Sequence, residues 1–108
     1  MKRLFCALAL VLVLAGSAFA LSDVDYKLLR TRSPEFVRAD RELNKVWDGL
    51  KGKLSFRDFD ALRKEQRRWI SSGRDKAARN LMRHEGYTFE AAYTEATEER
   101  IEYLKKYY

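Results

Sequence analysis

The chain has 108 residues, one of them cysteine, with 22 basic and 16 acidic side chains and a formal net charge of +6. This length holds one folded domain and leaves no room for a second. The charges alternate in sign along the chain, a pattern typical of solvated helix faces. The composition therefore predicts a small domain with a mild preference for anionic partners.

The first twenty residues have the layout of a secretory leader. Lys2 and Arg3 form a short positive region, an apolar run covers 4–15, and small residues stand at Ala18 and Ala20. This pattern predicts a signal peptide, residues 1–20, that is cleaved after Ala20. The alternative is a retained anchor, but the apolar run is shorter than the roughly 20 residues that a span needs. We therefore expect a periplasmic or secreted protein with no membrane association after cleavage.

The chain after the leader, 21–108, carries 20 basic and 16 acidic side chains, a net charge of +4, and no cysteine. Without disulfides, the stability of the domain must come from helix packing. The first stretch, 21–32, has no strong hydrophobic period and is expected to be a loose N-terminal arm or a short extra turn. The helical domain is expected to cover 33–108.

A first helix is predicted to begin at Ser33, where a capping hydroxyl precedes Pro34 and Glu35. It should run to about Lys51, with Gly52 able to close it in the left-handed conformation. Its inward-facing residues recur at spacings of three and four. They are Phe36, Asp40, Leu43, Trp47, Leu50 and Leu54.

A long second helix is predicted to begin at Ser55, which with Asp58 makes a variant of the capping box. It should end near His84, before Gly86. Its inward stripe is Phe59, Leu62, Gln66, Trp69, Gly73, Ala77 and Leu81. Gly73 follows two serines, Ser71 and Ser72, so this helix is expected to be weakest there and could bend or break.

A third helix is predicted after Thr88, a capping residue, with Glu90 in its first turn. Its inward stripe is Phe89, Tyr93, Ala96, Arg100, Leu104 and Tyr107. Short connections make neighbouring helices antiparallel. The sequence therefore predicts an all-α fold, a three-helix antiparallel bundle with a long middle helix.

Charged residues stand on two of these inward stripes. Asp40 and Arg100 should lie about 9 Å apart along the bundle, a distance that an arginine largely covers. Because an isolated buried charge is very costly, we expect a buried Asp40–Arg100 pair, with Gln66 completing its hydrogen bonds. The whole predicted structural cluster is Asp40, Asn44, Gln66, Arg74 and Arg100. The alternative, that one of these residues contacts a partner, is less favoured.

These same segments resemble a known family. They are Asp40-Arg41-Glu42-Leu43-Asn44, Gln66-Arg67-Arg68-Trp69, Arg74-Asp75 and Thr97-Glu98-Glu99-Arg100 with Leu104. The set is similar to the DUF1311 family, whose domain is named after the lysozyme inhibitor LprI. Its members are mostly small, secreted or lipid-anchored bacterial helical proteins, and the resemblance covers about 33–105. Many relatives carry cysteines before the first helix and after the Arg-Asp pair, and this chain has none there.

The resemblance implies a non-catalytic binding protein of the bacterial envelope, with a lysozyme as one possible protein partner. The first candidates for contact are the arginines Arg63, Arg67 and Arg68 and the loop 51–55. Charge counts against this function, because animal lysozymes are generally basic and a domain of +4 would be repelled at long range. The alternative is an envelope interaction or structural module that binds another protein or an anionic cell-wall polymer.

Motifs for catalysis, metal or cofactor binding are not visible in the sequence. His84 is the only histidine. The carboxylates within the pairs Asp58/Asp60 and Glu98/Glu99 point to different faces of a helix. We therefore expect no catalytic residues, no metal and no cofactor. The basic stretch 63–68 is interrupted by an acid, so we also expect no nucleic-acid partner. The sequence leaves the oligomeric state open.

Overall fold

The computed structural model describes residues 21–108, and the predicted signal peptide lies outside them. Four helices fill this part of the chain: α1 (Asp23–Arg32), α2 (Pro34–Lys53), α3 (56–85) and α4 (Phe89–Lys105). The predicted all-α class is confirmed, but with four helices where three were expected. Among residues 21–108, no helix is both long enough and apolar enough to cross a membrane.

The additional helix is α1, in the stretch expected to be a loose arm or a short turn. Ser22 caps it by accepting a hydrogen bond from the N–H of Asp25 at 3.1 Å. Leu29 is its one buried residue, and the ring of Tyr26 meets Phe36 of α2 edge-on, with 5.9 Å between ring centroids. A helix with so narrow an inward face leaves no clear hydrophobic period in the sequence.

The predicted helix starts are confirmed by their caps. Ser33, Ser55 and Thr88 each accept a hydrogen bond from the backbone N–H three residues further on. Gly86 ends α3 in the left-handed conformation, at φ +70°, as predicted. The predicted closure at Gly52 is wrong, because α2 continues through it to Lys53.

Helix α3 does not break at its serine–glycine step. It runs as Phe56–Arg68, passes through one π-helical turn, Trp69–Gly73, and continues as Arg74–Glu85. The hydroxyls of Ser71 and Ser72 both donate to the carbonyl of Arg68 at 3.2 Å. A Cβ at Gly73 would lie 3.0 Å from Cδ1 of Trp69, so the missing side chain lets the indole lie close to the turn.

The π turn moves the inward face of α3 by one residue. Such a turn closes over five residues instead of four, so it rotates everything that follows relative to an α-helix. Arg74 and Ala78 are buried where the regular period predicted Gly73 and Ala77. The predicted stripe is therefore right as far as Trp69 and again at Leu81, and wrong by one position at 73 and 77.

The interior consists of two apolar clusters with a polar layer between them. The first cluster holds Leu29, Phe36, Ala78, Leu81, Ala92, Tyr93 and Ala96. The second holds Leu43, Val46, Leu50, Leu62, Ile101 and Leu104. The buried polar layer holds Asp40, Gln66, Arg74, Asp75, Thr97 and Arg100. Helix α4 packs against α2 and against the second half of α3, and α1 packs against α2.

Candidate functional site

Asp40 is bound by residues of α1. The hydroxyl of Tyr26 donates to its Oδ2 at 2.5 Å, and Nη1 of Arg30 donates to the same oxygen at 3.1 Å. The predicted pair with Arg100 is wrong, because α1 brings a cation of its own to this carboxylate. Asp40 is buried, but the side chain of Arg30 is 46% exposed. Burial, and then the adjacent Asp40 carboxylate, raise the pKa of Tyr26.

Arg100 is held on the other side of the polar layer. Its Nε donates to Oε1 of Gln66 at 2.7 Å, and Nη2 donates to Oε1 of Glu65 at 3.3 Å. Its guanidinium also lies 4.6 Å from the ring centroid of Tyr103. The predicted contact between Gln66 and Arg100 is confirmed, and the neutralising acid is Glu65, which the inward stripe did not include.

The two other members of the predicted cluster, Arg74 and Asn44, differ in burial. Arg74 is buried, and its guanidinium lies 5.1 Å from the ring centroid of Trp69. Its Nε is buried and has no hydrogen-bond partner among residues 21–108. Asn44 is exposed, since it directly follows the inward-facing Leu43 on α2. Its predicted place in the cluster is therefore wrong.

The polar layer also contains a pair that sequence reasoning missed. The hydroxyl of Tyr93 donates to Oδ1 of Asp75 at 2.5 Å, and both residues are buried. Burial raises the pKa of Asp75 in spite of this hydrogen bond, and burial together with the carboxylate raises the pKa of Tyr93. The signal was the Arg74-Asp75 dipeptide, but the regular helical period placed both residues off the inward face.

A groove between the starts of α2 and α4 has the opposite charge to the whole domain. Its volume is about 460 Å³, and we call it the acidic groove because its only charged lining residues in 21–108 are Glu35, Glu90, Glu95 and Glu98. On the adjoining surface, burial and then the charges of Glu95 and Glu85 raise the pKa of Glu99. No group of three or more acids, histidines or cysteines in residues 21–108 is arranged to hold a metal ion.

The carboxylates of α4 are least compensated by cations at its start. A second groove, of about 660 Å³, follows α2 and α4 away from the acidic groove and shares Glu98 with it. Four cations and three carboxylates line this second groove: Arg38, Arg41, Lys45, Lys105, Glu42, Glu98 and Glu102. Its charges nearly cancel, so the acidic groove is the more polarised of the two surfaces.

The middle of α3 is strongly basic. Between 66 and 84 the sequence has one acid, the buried Asp75, and six basic residues, Arg67, Arg68, Arg74, Lys76, Arg79 and Arg83. We call the exposed ones, Arg67, Arg68, Lys76 and Arg83, the basic face. The third predicted contact residue, Arg63, lies one turn before Arg67 but is in an ion pair with Asp60, and this pairing lowers the pKa of that carboxyl.

Comparisons with known proteins support the resemblance seen in the sequence. A family model described as lysozyme inhibitor LprI matches residues 22–104. The match begins before α1, so it includes that helix. No curated protein and no solved structure matches the chain significantly. Because the family model covers most of the chain, the protein belongs to the LprI family.

Proposed function

We propose that this chain is an exported, non-catalytic protein that binds and inhibits a lysozyme. Membership of the LprI family carries this proposal, and the secretory layout of residues 1–20 supports the compartment. Asp40, Gln66 and Arg100 bind residues of the same chain, so we assign them to the scaffold. The contact with the enzyme then belongs to the exposed surface.

The acidic groove is the surface best suited to a basic enzyme. Charge complementarity between two patches governs encounter and orientation, even when the net charges of two proteins have the same sign. In the free protein, Glu99 lies in the repulsive field of Glu95 and Glu85. A cationic partner would relieve that repulsion, so its binding is favoured at this end of α4.

The mode of inhibition that we propose is steric. Lysozyme cleaves a polymer with two carboxylates that flank the scissile bond in an open cleft. A helical domain that occupies the rim of that cleft excludes the polymer and requires no chemistry from the inhibitor. The short turn at Gly86–Thr88, beside the acidic groove, joins two packed helices and gives this edge a fixed shape.

The test is inhibition of a basic animal lysozyme by residues 21–108 and by two matched variants. Changing Glu35, Glu90 and Glu95 together to glutamine should weaken inhibition about tenfold or more. The control changes Arg67 and Arg68 to glutamine and should inhibit as well as the parent. Absence of inhibition by the parent at micromolar protein would overturn the proposal. Loss of inhibition in the control alone would move the contact to the arginines.

The basic face favours a second candidate, binding of an anionic cell-wall polymer. Four exposed cations extend along one helix, and Asp75, the one acid between 66 and 84, is buried. Co-sedimentation with peptidoglycan should then weaken steeply as salt rises. Changing Arg67, Arg68, Lys76 and Arg83 to glutamine should abolish it, whereas the glutamate variant of the acidic groove should still bind. Polymer binding that is insensitive to salt would contradict this candidate.

A further inference from the structure

Three exposed aromatic residues share the end of the bundle at which α2 turns into α3. Phe56 is 87% exposed, Tyr107 41% and Tyr108 53%. The hydroxyl of Tyr108 donates to the carbonyl of Val46 at 2.7 Å, and Tyr107 faces the start of α3 beside Leu54. We call Phe56, Tyr107 and Tyr108 the aromatic end.

Packing of the domain does not account for Phe56. The neighbours of Phe56 make the core contacts of this turn: Leu54 and Phe59 pack on the second apolar cluster. The ring centroids of Phe59 and Trp47 are 4.8 Å apart. The N-cap of α3 is Ser55, whose hydroxyl accepts a hydrogen bond from the backbone N–H of Asp58. Phe56 therefore exposes nearly its whole ring to water without serving the cap or the core.

Cations surround the aromatic end. Lys51, Lys53, Arg57, Lys105 and Lys106 are all exposed. Nζ of Lys53 lies 5.5 Å from the ring centroid of Tyr108. The acids nearby are Asp48, Asp58 and Glu102, and Glu102 is in an ion pair with Lys105 at 3.6 Å. Two further acids, Asp60 and Glu65, are already paired with Arg63 and Arg100. Five cations against the three remaining acids leave this end of the bundle positive.

We propose that the aromatic end docks on the surface of a bilayer that contains anionic phospholipids. Aromatic rings favour the boundary between headgroups and acyl chains, tyrosine because its ring is amphipathic and phenylalanine because its apolar surface is removed from water, and lysine and arginine favour anionic headgroups. Phe56 enters that boundary while Lys51, Lys53 and Arg57 contact phosphates. This is a peripheral contact, so it needs no membrane-spanning helix, and it revises the expectation of no membrane association.

Phe56 is the reason to prefer a bilayer over a cell-wall polymer as the occupant. Its side chain has no hydrogen-bonding group, so a hydrated polymer offers it little. A lipid boundary removes its apolar surface from water. The charge around it matches the anionic phosphate groups of such lipids, which attract basic segments within about a Debye length.

The experiment is co-sedimentation of residues 21–108 with vesicles of phosphatidylcholine, with and without about one third phosphatidylglycerol. Partitioning should be about tenfold stronger onto the anionic vesicles and should fall as salt rises. Phe56→Ser and the double change Lys51→Gln with Lys53→Gln should each reduce it about fivefold or more. The matched controls are Ile70→Ser, at an apolar residue 48% exposed on α3, and Lys76→Gln with Arg83→Gln. Both controls should partition as the parent does.

Equal partitioning onto neutral and anionic vesicles would overturn the proposal, as would unchanged partitioning of Phe56→Ser. Binding of peptidoglycan that depends on Phe56, without binding of vesicles, would also overturn it and assign the aromatic end to the polymer. Because Phe56 is exposed, Phe56→Ser should have the same melting temperature as the parent. The variant should also still inhibit lysozyme, so failure of this proposal and failure of the inhibitor function are separable.

Discussion

The Nε of Arg100 on α4 donates to Oε1 of Gln66 on α3 over 2.7 Å, and both side chains are buried between the two apolar clusters. This hydrogen bond ties the register of α4 to the half of α3 that precedes the π turn. The Tyr93–Asp75 bond ties α4 to the half that follows it. Both halves are thereby aligned on one partner helix, which explains why the π turn is accommodated without a break.

Gln66→Leu should destabilise the domain by about 1–3 kcal/mol, because it leaves the buried Nε of Arg100 without its acceptor. The free energy of unfolding from urea denaturation measures this. Asn44→Leu is the control on the exposed surface of α2 and should change stability by less than about 0.5 kcal/mol. Equal effects of the two changes would mean that the buried hydrogen bond contributes nothing.

Asp40→Ala should cost about 1–2 kcal/mol, the loss of its hydrogen bonds to Tyr26 and Arg30. A buried pair with Arg100 would have cost about 3–5 kcal/mol, because it would strand a buried cation. Arg30 is half exposed, so water solvates it when the carboxylate is removed. A double-mutant cycle should show coupling of Asp40 to Arg30 and none to Arg100. Coupling to Arg100 alone would contradict the observed network.

Tyr93→Phe should cost about 1.5–3 kcal/mol at neutral pH, since it removes the donor of a buried carboxylate. Burial already raises the pKa of Asp75 above its ordinary value. Without the hydroxyl that pKa should rise further. A group with a raised folded pKa contributes less stability as pH rises from its unfolded pKa through its folded pKa. The penalty of Tyr93→Phe should therefore shrink in acid, and a penalty that grows as pH falls would refute this reasoning.

Glu99→Gln should raise the melting temperature at neutral pH. Burial, Glu95 and Glu85 raise the pKa of Glu99, so the folded state binds its proton more tightly than the unfolded state does. The cost of ionising Glu99 in the fold is present above its folded pKa and vanishes below the ordinary value of 4.5. Thermal unfolding at neutral pH and at a pH below 4.5 tests this, with the exposed Glu42→Gln as control. A gain that persists unchanged in acid would exclude the electrostatic cause.

Much of the fold can be predicted from local signals in the sequence. The helix caps and the left-handed closure depend on a few neighbouring residues, so they can be predicted from the sequence alone. They are the caps at Ser33, Ser55 and Thr88 and the closure at Gly86. A single buried residue, Leu29, is too weak a signal to predict α1. The extra residue of the π turn changes the face of Arg74 without changing the composition, so a regular helical period misplaces the inward face by one residue at 73 and 77.

The polar layer and the acidic groove could be predicted less well. Burial of Asp40 and Arg100 follows from their stripes, but their partners Arg30 and Glu65 come from other helices, and no local pattern encodes that packing. Five glutamates against two cations in α4 are visible in the sequence, at 89–105. The alternation of charge along the whole chain hides this concentration of acids on one helix. Their convergence with Glu35 of α2 into one groove depends on how these helices pack.

We propose that the buried polar layer is scaffold and that the acidic groove binds a basic lysozyme. Calorimetric titration of the enzyme with residues 21–108 tests it most directly. We predict a one-to-one complex, weakened about tenfold or more when Glu35, Glu90 and Glu95 become glutamine, and unaltered by Gln66→Leu below its melting temperature. No heat of binding, or equal affinity of the glutamine variant, would contradict the claim.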